Sequence, residues 1–329
     1  MRRRNHQDLR STRRSFSYYS VDSPELAERM RSAMPFEGFY THLLFQDLDH
    51  LVPYSLGRNE GIGARMVGPD ASRATELVGE ALSERGYRSL VDGARSFFGA
   101  TAQYLVFAPS CVYEIDYLYS HDDSEDAPPQ RFRLERIQPG TYASHRRKPI
   151  QYVLPTLSPL RLSGGLHYVE LDPATLVSFS LPDDLVKPVR RVVDFLLTAN
   201  AEQGKEFALA QQLMTGRSDY NFSEHKRKQR DVFAQVTEPI GWNTRELFKD
   251  DLLEPFGVWR QIRFLEFKVR VRDKILQDLN RVLGQVGQTM GFEATLEFQG
   301  LPTLETVRTL KEDFRSGRRG FGDLVMAMI

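Results

Sequence analysis

Between Val258 and Met290 the apolar residues Ile262, Leu265, Val269, Leu276, Leu279, Leu283, Val286 and Met290 recur on alternating three- and four-residue steps. The series is broken only at Arg272, where the next apolar residue is due. That spacing lays the side chains along one stripe of an α-helix, as in a heptad seam. Phe264, Phe267, Val271, Ile275 and Val282 form a second stripe beside it. At 1.5 Å per residue such a helix spans roughly 50 Å and needs packing partners on two sides. Ile262, Leu265, Val269, Leu276, Leu279 and Leu283 are then candidates for a contact with another element of the chain or with a second subunit.

The rest of the chain is mixed. Segments 71–84 and 87–99 carry helical spacing, and 24–34 and 39–54 are further helix candidates. The runs QYLVFA, CVYEIDYLY, RFRLERI, PIQYVL, LRLS and LHYVEL are rich in β-branched and aromatic residues between Pro, Gly and Asp clusters, and predict an antiparallel meander. Helical spacing returns over 188–214 and 223–236, followed by a stretch broken by Pro239, Gly241, Pro255 and Gly257. In the closing segment Thr303 is placed to cap a helix reaching about Arg315, Gly317 to end it, and Gly320 with Gly322 to bend the chain before the apolar VMAMI. An exposed VMAMI would be a liability in a monomer. It points to docking within the chain or on a neighbour.

A chain of 329 residues can bury a large core, and its 44 basic and 44 acidic residues cancel, so no global field draws it to nucleic acid. The first fourteen residues, MRRRNHQDLRSTRR, hold six arginines against one aspartate and read as a solvated arm. No run has the apolar core of a secretory signal or the roughly 20 residues of a membrane span, so no membrane partner is expected. Cys111, the only cysteine, excludes an intrachain disulfide and a cysteine zinc cage, and a reducing cytoplasmic setting fits.

Catalytic signatures are sparse. GRNEGIG lacks the Gly-Lys-Ser/Thr ending of a phosphate loop and reads as a turn, and the acidic HDDSEDAPPQ lacks calcium-loop spacing and reads as a hairpin tip. The seven histidines form no zinc-enzyme pair. Glu114, Asp116 and Glu135 on successive strands offer a metal-dependent nuclease as an alternative, although the pattern more simply gives a solvated sheet face. The basic runs HRRK (145–148) and HKRKQR (225–230) offer another, a non-enzymatic nucleic-acid-binding adaptor. No catalytic, cofactor or metal residue is expected.

In order and in loose motifs, the chain resembles the portal proteins of tailed bacteriophages. ARMVGPDASRATELVGEALSERGYRSLVDGARSFFGATAQYLVFAP looks like the portal wing, FRLERIQPGTY like its strand and proline turn, and ATLEFQGLPTLETVRTLKEDFRSGRRGFGDLV like the closing strand, turn, helix and hinge. The resemblance implies an α+β fold with an antiparallel β-rich wing, long stem helices and a small clip. It divides the chain into a basic arm (1–38), a wing-like domain (39–187), a first stem helix with the helix after it (188–236), a clip-like insert (237–257), the long stem helix (258–291) and a returning strand, helix and hinge (292–329). The chain departs from the family in its shortness and in showing no evident crown after Ile329.

The resemblance further implies a homo-oligomeric ring, usually of twelve subunits, at the capsid vertex of the virion and assembled in the host cytoplasm. Double-stranded DNA would pass through it without sequence specificity during packaging and ejection. Terminase, the major capsid or scaffold protein and a head-tail adaptor would be its partners, with no enzymatic activity of its own. Arg315, Arg318 and Arg319 of the hinge, with Lys226 and Arg227, then become candidates for the DNA-facing surface.

Overall fold

The computed structural model describes residues 9–11, 19–21, 38–53, 61–83, 89–120, 128–138, 140–153, 166–214, 222–243 and 254–328. Among the described residues, ten strands lie in this chain order: β1 (Leu9–Ser11), β2 (Tyr19–Val21), β3 (Gly63–Val67), β4 (Ser110–Ser120), β5 (Arg131–Arg136), β6 (Tyr142–His145), β7 (Lys148–Val153), β8 (Leu166–Glu170), β9 (Leu176–Ser180) and β10 (Thr295–Gln299). The α-helices are α1 (Phe39–Leu48), α2 (Ala71–Ala81), α3 (Leu90–Phe107), α4 (Asp183–Met214), α5 (Phe222–Thr237), α6 (Glu254–Met290), α7 (Leu304–Ser316) and α8 (Phe321–Met328). The fold is α+β with antiparallel sheets. It divides into two compact units, one of Met1–Met34, Gly63–Ser180 and Ile275–Gln299, the other of Pro35–Ile62, Leu181–Lys274 and Gly300–Ile329.

The first unit is built around β4, the longest strand. β5 pairs along one side of it, and β9 and β1 pair along the other. Because strand side chains alternate, Cys111, Tyr113, Ile115 and Tyr117 share one face. There Phe97 of α3 meets Tyr113 and Phe179 with ring centroids 5.3 and 5.4 Å apart, and Tyr113 Oη lies 2.7 Å from Thr101 Oγ1. Val112 and Leu176, on the opposite face, pack with Val153, Val169 and Leu171 of the second sheet, whose order is β2-β8-β7-β6. Both faces of β4 are therefore covered. A third, two-stranded ribbon joins β10 to β3, and Asn280 of α6 clamps it by donating to the Leu296 carbonyl (3.1 Å) and accepting from the Leu296 amide (2.7 Å).

The second unit is helical. Phe233 of α5 is buried against Tyr40 of α1, Phe195 of α4 and Trp242, and the Trp242 indole donates to Asp47 Oδ2 at 2.9 Å. Arg260 of α6 is 1% exposed and ties the end of α5 to the following turn, donating to the Ala234 carbonyl (2.8 Å), Thr237 Oγ1 (2.6 Å) and the Trp242 carbonyl (2.5 Å). Burial lowers its pKa to about 10. Val258, Ile262, Leu265 and Val269 form a cluster with Val307 and Leu310 of α7 and Leu324 of α8.

Several expectations change. The α6 seam is filled by the chain itself: Ile262, Leu265, Val269, Leu279 and Leu283 are all buried in the single chain, and Leu276 is half-buried. The second stripe is likewise buried at Phe267, Val271, Ile275 and Val282. Arg272, the break in the seam, bonds Asp273 Oδ1 and the Pro302 carbonyl (2.7 Å) and so holds the turn before α7. Long helix and double stripe are real, but the partners are intrachain.

QYLVFA is the C-terminal part of α3 rather than a strand, since its β-favouring side chains continue that helix's buried face. The strands form three sheets rather than one meander. β3, β6 and β9 arise in stretches to which the sequence assigned no strand, and two pieces of the basic arm become β1 and β2, recruited by the open edges of β4 and β8. Helix α4 starts before Pro188, which lies inside it, and α6 starts at Glu254 rather than Val258. The helix read over 24–34, the LRLS strand, the HDDSEDA tip and most of GRNEGIG lie outside the described residues.

Candidate functional site

The hinge predicted from the sequence forms in the second unit. Thr303 begins α7 with a reciprocal cap: its hydroxyl accepts from the Thr306 amide, and the Thr306 hydroxyl accepts from the Thr303 amide, both at 3.2 Å. Gly317, at φ 65°, ends the helix in the left-handed region, and the Arg318 amide donates back to the Asp313 carbonyl at 3.1 Å. The chain then enters α8, which begins before Gly322, so Gly322 is helical and Gly320 alone precedes it. Leu324 is fully buried and Val325 partly so against α6 and α7, giving the apolar ending an intrachain site.

The three hinge arginines divide by role. The Arg315 guanidinium lies 5.6 Å from the Trp259 ring centroid, a cation-π contact. Arg319 Nε donates to Asp313 Oδ2 at 2.9 Å, and Asp313 is itself buried, so this pair braces the turn. Arg318 is exposed and has no side-chain partner among the described residues. The other proposed DNA-facing pair stands on α5, where Arg227 is exposed and Lys226 has its side chain outside the described residues. Neighbouring Lys228 is tied to Glu224 at 2.9 Å.

The strand carboxylates are brought together only in part. Glu114 sits opposite Glu135 in the β4–β5 ladder, but Asp116 sits opposite Arg133. Glu114 and Asp116 are 8% and 5% exposed, so the expected solvated face is instead buried, because the second sheet covers that side of β4. Among the described residues, no group of three or more His, Cys, Asp and Glu side chains is arranged to hold a metal ion. Cys111 is 2% exposed, and burial pushes its thiol up to about 12, far from a reactive thiolate.

Two further features stand out, of which only the second had a signal in the sequence. A cavity of about 660 Å³ lies among α2, α3, β4 and β5, lined by Glu80, Phe97, Tyr113, Phe132 and Arg136, with Arg131 bridging to Glu80 at 2.6 Å on its wall. The Arg136 guanidinium is held 3.9 Å over the Tyr104 ring. The second feature is the HRRK run, which forms the tip of the β6–β7 hairpin, with Arg146 and Arg147 both in left-handed conformation and both exposed. No protein-family model matches this chain, and no curated protein matches it.

Proposed function

We propose that the chain is a structural subunit of a portal-type ring, a conduit for double-stranded DNA with no chemistry of its own. The observation that carries this reading is the order of elements. A β-rich α+β unit leads into the 32-residue α4, then α5, then the 37-residue α6, after which β10 returns to pair with β3 and α7 and α8 close the chain. This follows the order that the resemblance gives for wing, first stem helix with the helix after it, returning stem helix and closing segment; part of the clip-like insert lies outside the described residues. Terminase, capsid or scaffold protein and a head-tail adaptor are the partners in this reading, and the capsid vertex its location.

The subunit contact in this reading is not the α6 seam, which the chain fills. It falls to surface residues such as Val232 of α5, 46% exposed, and to the outer faces of α4 and α5. Among the described residues, Arg318 and Arg227 are the proposed DNA-facing cations left for weak, distributed phosphate contacts, which suit passage better than tight binding. Native mass spectrometry of the purified chain tests the proposal, with end-on electron microscopy as its second arm. A closed ring of about a dozen subunits is expected. A monomer or dimer at high protein concentration overturns it.

A further inference from the structure

The turn joining β6 to β7 is built against local preference. His145 pairs with Lys148 across a two-residue loop, and both loop residues have positive φ, 50° at Arg146 and 67° at Arg147. Two positive φ values in such a loop define a type I′ turn, which favours Asn-Gly because most side chains are strained there. Arg146 and Arg147 are the only non-glycine residues with positive φ among the described residues. An outlier of this kind is a reason to ask what the side chains do.

The surroundings isolate these two charges at the tip. Lys148 is spent on Glu170 at 2.7 Å, and the His145 ring packs on Tyr168 with centroids 5.5 Å apart. Neither Arg146 nor Arg147 has a partner among the described residues. The ribbon behind them is anchored, since β7 also pairs with β8 and β8 with β2. Tyr142, 44% exposed, stands at the start of the same hairpin.

We infer that the His145–Lys148 hairpin tip is a nucleic-acid contact, in which Arg146 and Arg147 grip phosphates of a DNA duplex. A two-stranded ribbon fits the major groove or lies along a backbone, and the guanidinium fork matches phosphate oxygens. The tip carries no apolar side chain to enter a bilayer, which favours nucleic acid over an anionic membrane. The contact rests on DNA as the partner named above but not on ring formation.

The test uses the double substitution R146N/R147G, which supplies the preferred turn while removing both charges. Melting should rise by about 2–4 °C for each kcal/mol of strain relieved. Duplex binding, read by fluorescence anisotropy across salt, should fall. Losing two phosphate contacts lowers the salt slope by about 1.8, so the affinity lost between about 50 and 200 mM salt becomes about tenfold smaller. R146K/R147K, which keeps charge and strain, should retain the slope.

An unchanged affinity and slope in a folded R146N/R147G overturns the assignment. So does a wild-type chain that binds phosphatidylserine vesicles but not duplex. A monomer that binds duplex through this tip would retire the ring and keep the assignment, whereas a ring indifferent to the tip would do the reverse.

Discussion

Leu279→Ala separates an intrachain seam from an intersubunit one. Leu279 is fully buried within the single chain. Truncation removes three carbons, worth about 2.4 kcal/mol at about 0.8 per buried methylene. The cavity left behind brings the expected loss into the range of about 2.7–5 kcal/mol. Leu276, one turn away on the same seam but only half-buried, should lose about 1 kcal/mol on the same change. Urea unfolding of both variants, followed by circular dichroism, reads the difference. Far-ultraviolet signal is the right probe because both tryptophans, Trp242 and Trp259, belong to the other unit. With an m-value of about 3 kcal/mol/M, Leu279→Ala should move the midpoint by roughly 1 M or more. The shift should be the same at widely separated protein concentrations. Equal losses at the two positions, or a loss that vanishes as concentration rises, would refute the argument and return the seam to a subunit interface.

Arg260→Met should destabilise the second unit by about 3 kcal/mol or more, because three buried acceptors lose a charged donor at once. Tryptophan fluorescence during urea unfolding checks this, and a loss below about 1 kcal/mol would remove the clamp assigned to Arg260. Gly317→Ala has open space around an added Cβ but keeps φ at 65°, so it should cost about 1 kcal/mol from conformation alone; an unchanged melting temperature would contradict that. For Cys111, burial pushes the folded thiol from its ordinary value of 9.0 up to about 12, so the stability it contributes is fully present below pH 9 and drains away as pH rises toward 12. Wild type should lose up to about 1.4 kcal/mol per pH unit in that window beyond what Cys111→Ala loses, and parallel stability curves would refute the burial argument.

What the sequence made legible was local. The cap at Thr303 and the stop at Gly317 depend on residues a few positions apart, and both form as read. The seam spacing identified α6 and even its flaw at Arg272, yet periodicity says only that a stripe is buried, never by what. The partners Val307, Leu310 and Leu324 come from later in the chain, so the seam read as a subunit contact when it is core. QYLVFA was misread because strand-favouring composition also suits a helix buried on several sides. β1 and β2, three residues each, are too short to carry a pattern and exist only through distant pairing. The hinge was visible as three arginines, but their division among Trp259, Asp313 and solvent depends on contacts that spacing cannot encode.

The arginine-rich leader also bears on how the chain can be handled. By pairing Leu9–Ser11 with β4 and Tyr19–Val21 with the outer side of β8, it caps two rows of backbone donors and acceptors. Trimming the first two dozen residues as a dispensable charged tail would uncover both rows. Such a shortened protein would be prone to stack strand on strand with its own kind during expression. The segment that looked most expendable thus serves as a built-in guard against edge-to-edge strand pairing.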